Sequence, residues 1–149
     1  MKPIEDFTFT ATNTIKLDRI TIRSTLASVR DQLLKHEING GPHKFSMDCV
    51  IASRGACGMA ACIGGWTSIF LLGFEGGANY TKRNIVQDLF NRLAVSDDRL
   101  HKLFYSYDGT KDYNEPNVAA TAIQRYLDGK NPWPKGKMPD VLRYKRKVK

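Results

Sequence analysis

Several kinds of protein are excluded by what this chain of 149 residues has little of. It holds only three cysteines, Cys49, Cys57 and Cys62. Three thiols cannot all pair with one another, so a disulfide framework is excluded and reduced thiols of a cytosolic protein are the simpler account. The opening MKPIEDFTFT places acidic residues where a secretory signal needs an apolar core, so no secretion is expected. Internal repeats are absent. The glycines at 55, 58, 64 and 65 match neither a dinucleotide fingerprint nor a phosphate loop with its lysine. Asp108-Gly-Thr-Lys-Asp112 lacks the alternating oxygen ligands and the distal glutamate of a calcium-binding loop. No cofactor is implied.

Charge is plentiful but unevenly spread. The 23 Lys and Arg exceed the 15 Asp and Glu by +8. Residues 135–149 (KGKMPDVLRYKRKVK) hold seven basic residues against one acidic, a net +6, which leaves 16 against 14, or +2, for residues 1–134. The body is nearly neutral and the excess sits at the C-terminal end.

Ala56–Phe74, ACGMAACIGGWTSIFLLGF, is the longest uncharged run. It approaches the length of about 20 residues that crosses a hydrocarbon core. Its glycines, Thr67 and Ser68 dilute the hydrophobicity and no second span follows, so no membrane partner is expected. The run reads as a central core helix in which Gly64 and Gly65, beside Ala60 and Ala61, let another backbone approach closely.

Around this run the hydrophobic periods predict a series of amphipathic helices. Ile22, Leu26, Val29, Leu33 and Leu34 form the first stripe, capped by Asp18 or Thr21 and stopped at Asn39-Gly-Gly-Pro42. Phe45 and Met47 alternate as in a short extended piece, and Ser53 is placed to cap the core helix. Thr81–Leu93 carries Ile85, Val86, Leu89, Phe90 and Leu93, with Asn79 or Thr81 as its cap. Ser96 then caps a short helix that starts with Asp97 and Asp98 and presents Leu100, Leu103 and Phe104. After a polar loop, Glu115-Pro116 opens the last helix, with Val118, Ala119, Ala122, Ile123, Tyr126 and Leu127 on one stripe and Gly129 at its end. The expected fold is mostly α: one compact bundle of four to five helices around a glycine-notched helix. It spans residues 18–133, between an N-terminal arm (1–17) that is either extended or a short edge strand and a basic tail (134–149).

One combination of residues resembles a known family. Phe45 and Met47, then Cys57-Gly58 with Cys62 five positions after the first cysteine, then Gly65-Trp66, resemble small uncharacterised phage and bacterial proteins carrying a CGTxxCxxGW motif. The resemblance continues through Leu93, Val95, Leu100, Leu103 and Phe104 into Val118–Leu127, and so covers most of residues 20–133. It implies a phage context but brings no established activity, and Met59 stands where the family usually has threonine.

Three kinds of function remain open. The first is a non-enzymatic accessory or inhibitor protein of the cytoplasm that binds a host protein, a nucleic acid or a nucleotide-containing ligand. Arg143, Tyr144, Lys145, Arg146, Lys147 and Lys149 would supply phosphate contacts and stacking, with Tyr105, Tyr107 and Tyr113 lining a ligand surface. The second is a cysteine hydrolase. A thiol at a helix start has a lowered pKa, so Cys57 would be the nucleophile, His101 its base, and Asp108 or Asp112 the orienting group. No upstream oxyanion residue accompanies them, and thiols packed in a core are far more frequent. The third is a structural protein that forms a homo-oligomer. His43, Cys49, Cys57 and Cys62 are the right ligand types for zinc but have the wrong spacings, so no metal is expected.

Overall fold

The computed structural model describes residues 18–35, 43–45, 47, 52–53, 59–72 and 83–143. Among these residues five helices build a bundle: α1 (Arg19–Leu34), α2 (Ile63–Leu71), α3 (Arg83–Ser96), α4 (Asp98–Tyr105) and α5 (Pro116–Leu127). A small sheet precedes α2. It consists of β1 (His43–Phe45), β2 (Ala52–Ser53) and β3 (Met59–Ala61), with β3 in the middle, parallel to β1 and antiparallel to β2.

The stretch expected to form one helix over Ala56–Phe74 divides at Cys62. Met59–Ala61 pairs with His43–Phe45 on one side, and Ala60 and Met59 lie opposite Ala52 and Ser53 on the other. Ser53 is thus a strand residue and not a helix cap. Cys62 remains extended at φ −81° and ψ −177°, and helix begins only at Ile63. A short apolar run gives the same periodicity signal whether it forms a buried strand or a buried helix, so pairing partners far along the chain decide.

Downstream of that break, α2 is the central helix and packs on α1, α3 and α4. Residues 63–69 are all buried. Thr67 and Ser68 remain there at no exposure because their hydroxyls donate to the Ile63 and Gly64 carbonyls at 2.7 and 2.8 Å. Gly64 faces the Phe90 ring of α3 and the Phe104 ring of α4, which stack with centroids 5.2 Å apart. The notch expected at this position is present, but two aromatic side chains fill it where a close-packed backbone was expected.

The longest pairing in the bundle joins its two ends. α1 lies along α5. Its stripe of Ile22, Leu26, Val29 and Leu33 is buried, while Arg23 donates to the Leu127 carbonyl (2.8 Å) and Arg30 to Gln124 Oε1 (2.6 Å). Asp18 caps α1 by accepting from the Thr21 N–H at 2.7 Å. At α4 the cap is Asp97, which accepts from the Arg99 N–H at 2.8 Å. Ser96, expected in that role, is the last residue of α3, and its hydroxyl donates back to Leu93. Pro116 opens α5, and Gly129 (φ +79°) turns the chain out of it, as left-handed backbone favours glycine.

Packing continues past Trp133. Trp133 is buried and its indole N–H donates to the Leu103 carbonyl at 2.8 Å. Thr110 and Gly136 form a parallel bridge, Thr110 Oγ1 donates to the Pro134 carbonyl (2.7 Å), and Met138 is buried in the core. The Leu142 N–H donates to Thr121 Oγ1 at 2.8 Å, while the same hydroxyl donates to the Asn117 carbonyl. Thr121→Val should therefore leave the Leu142 amide without its acceptor and cost about 1–3 kcal/mol. Denaturant unfolding and limited proteolysis within 134–143 would detect the loss; an unchanged midpoint and cleavage pattern would show that this bond does not hold the segment.

Candidate binding surface

The docked stretch 130–143 turns its apolar side chains inward and its cations outward. Pro132, Trp133 and Met138 are buried, whereas Lys130, Lys135, Lys137 and Arg143 are exposed, with Asp140 the one acidic residue among them. Burial of Trp133 and Met138 fixes the backbone, so the lysine and arginine stems project from an anchored base. Arg143, the first of the cationic residues assigned to binding, stands one residue beyond the Leu142 anchor. Tyr144, Lys145, Arg146, Lys147 and Lys149 lie outside the described residues.

Of the tyrosines assigned to the same surface, Tyr107 and Tyr113 lie together and Tyr105 stands on another element. Tyr107 is half-buried at the root of the basic segment, its ring 4.9 Å from Tyr113 and 6.4 Å from Trp133. Tyr105 belongs to α4, where it is exposed and its ring neighbours are Phe90 and His101. Burial, with the Cys62 thiol nearby, holds the Tyr105 phenol above its ordinary pKa.

Cys57, the nucleophile of the hydrolase reading, lies outside the described residues. The thiol at a helix start is that of Cys62, which was expected to sit a turn inside the helix. Its Sγ accepts from the Gly65 N–H at 3.4 Å and it is buried. His101 is exposed on α4 with its ring against Tyr105, and no hydrogen bond joins it to Asp108 or Asp112, both exposed. Asp112 adopts left-handed backbone (φ 59°) at the turn into α5. Of the zinc candidates, Cys49 and Cys57 lie outside the described residues. No group of three His, Cys, Asp or Glu is placed to hold a metal ion among the described residues, and no helix there is long and apolar enough to cross a membrane.

A second surface lies where α1 begins, α3 meets α4 and α5 ends. A cleft of about 160 Å³ is lined by Arg19, Ile22, Ser96, Asp97, Leu100 and Tyr126. The guanidinium of Arg99 lies 5.0 Å from the centroid of the Tyr126 ring and donates to the Tyr126 carbonyl at 2.7 Å. Burial, and then the Asp97 carboxylate, push the Tyr126 phenol above its usual pKa, against the opposite pull of Arg99, Arg23 and Arg19. Arginine capping of the α5 carbonyls has no signature in the local sequence, since donor and acceptor lie 104 and 27 residues apart. No family model matches the chain, and neither a curated protein nor a solved structure shows significant similarity to it.

Proposed function

We propose that this chain is a non-enzymatic binding protein whose C-terminal basic segment contacts the phosphate backbone of nucleic acid. The observation that carries this reading is the anchoring of 133–142, which leads directly into the most basic part of the sequence. Anchoring lowers the ordering cost of the first contacts, and the cations that follow supply the electrostatic term that dominates sequence-independent affinity. The resemblance of residues 20–133 to phage and bacterial proteins supports an accessory role in the cytoplasm of a host cell.

The test is fluorescence anisotropy with labelled single- and double-stranded DNA and RNA across a salt series. For six or more phosphate contacts, affinity should fall on the order of 10³-fold between 50 and 200 mM salt. Removing residues 144–149 should abolish most of that slope without changing stability, and Cys57→Ala should leave binding intact. Undetectable or salt-independent binding to both DNA and RNA would overturn the proposal, and capture of an acidic host protein by the same segment would replace it.

A further inference from the structure

The cleft where α1 begins and α5 ends is lined by polar groups that the fold itself does not use. Tyr126 is only 5% exposed and lines the cleft, yet its phenol hydrogen-bonds to no described residue. A tyrosine hydroxyl buried to this degree ordinarily finds a partner. Arg19 lines the same cleft and is likewise unpaired among the described residues, whereas Arg99 and Arg23 are spent on the Tyr126 and Leu127 carbonyls. Asp97 accepts from the Arg99 N–H through one carboxylate oxygen, and its other oxygen has no described partner. Arg19 and Asp97 thus face one cleft without pairing with each other. Ile22 and Leu100, both buried, supply the apolar part of the lining.

From these groups we infer that the cleft binds a small zwitterion, an α-amino acid with an aliphatic side chain. Its carboxylate pairs with the Arg19 guanidinium and accepts from the Tyr126 phenol, its ammonium donates to the unpaired oxygen of Asp97, and its side chain lies against Ile22 and Leu100. The lining discriminates against simpler ligands. An anion alone meets the Asp97 carboxylate and a cation alone meets Arg19, and the Tyr126 phenol feels charges of both signs. Size agrees as well. A cavity of about 150 Å³ admits a six-carbon ring, so the cleft of about 160 Å³ accommodates a molecule as small as valine. Because the charged groups stand at an exposed rim, affinity should be on the order of 1 mM. The inference goes beyond the nucleic-acid reading of the C-terminal segment and does not depend on it.

Titration of the isotope-labelled full chain with L-valine at constant ionic strength, followed by NMR, tests the inference. The amides of residues 19–22, 96–100 and 126 should shift saturably. Isovalerate, which lacks the ammonium, and isobutylamine, which lacks the carboxylate, should bind about 10-fold more weakly. Arg19→Gln should erase the preference for valine over isobutylamine. Asp97→Asn, which keeps a helix-capping side chain, should erase the preference over isovalerate. Tyr126→Phe removes only the unpartnered hydroxyl, so it should weaken valine binding about 3-fold or more while the urea midpoint stays unchanged. The absence of a saturable shift up to about 50 mM valine overturns the inference, as does valine binding no tighter than isovalerate or isobutylamine. Variants that keep the native urea midpoint and bind valine as the native chain does overturn it too.

Discussion

Gly64→Leu should abolish folding. A Cβ at this position would lie 2.5 Å from Phe90 Cδ2 and 3.1 Å from Phe104 Cδ2, before any further side-chain atom is added. Neither ring has room to move: Phe90 and Phe104 are 1% and 2% exposed and stack on each other. Close-packed interiors resist added methylenes at about 1–3 kcal/mol for modest overpacking. The four carbons of a leucine side chain exceed that range, and a typical domain has only about 5–15 kcal/mol to lose. Gly64→Ala adds that Cβ alone, so it should already cost about 3 kcal/mol, the upper end of the range, and destabilise less than the leucine. Cys62→Ala provides the contrast, since it removes one buried sulfur and one weak acceptor at a helix start and should cost about 1–2 kcal/mol. Circular dichroism and urea denaturation of the three variants would decide the order. Greater damage from the cysteine change than from Gly64→Leu would mean that the thiol, and not the close approach of helices, is what this stretch serves.

Trp133→Ala should be the most damaging substitution outside the helices. Truncating a buried tryptophan costs about 3–5 kcal/mol. At this site it also removes the indole N–H that satisfies the Leu103 carbonyl and the ring against which Tyr107 packs. Trp133→Phe should recover most of the packing while losing the hydrogen bond, at about 1–3 kcal/mol. A lower urea midpoint together with new proteolytic cleavage between residues 134 and 143 would show that the ring seats the whole segment. A lower midpoint without new cleavage would assign the seating to Met138 and Thr121 instead.

The elements that were legible in the sequence are those whose cause is local. Ile22, Leu26, Val29 and Leu33 recur at helical spacing, and all four are buried. The Pro116 start and Gly129 end of α5 follow from proline and glycine backbone preferences. Gly64 was legible as a notch because a glycine inside an apolar run has few other uses. What escaped was decided at a distance. β3 exists through strands about 16 and 8 residues upstream, where His43 meets Met59 and Ala52 meets Ala60. Ser96 and Asp97 are equally good caps by residue type, and only the end of α3 selects between them. Residues 134–142 read as a tail because two prolines and scattered lysines give no period, yet Met138 is buried in the core and the Leu142 amide finds its acceptor on α5. For the binding surface, the cationic composition was legible, as was Trp133 with the prolines beside it as a dock for the start of the tail; the further seating through Met138 and the Leu142 amide was not.

The side-by-side placement of α1 and α5 bears on how the chain is made. The bonds from Arg23 to Leu127 and from Arg30 to Gln124 close loops of 104 and 94 residues. Such closures carry an entropic cost that is repaid only when both ends are present, so they slow folding relative to bundles built from neighbouring helices. During synthesis α1 emerges before α5, and its apolar stripe stays without its main cover until residue 127 has left the ribosome. The bundle therefore cannot close before α5 is made, and a fragment ending before α5 presents an amphipathic helix with its sticky face to the cell.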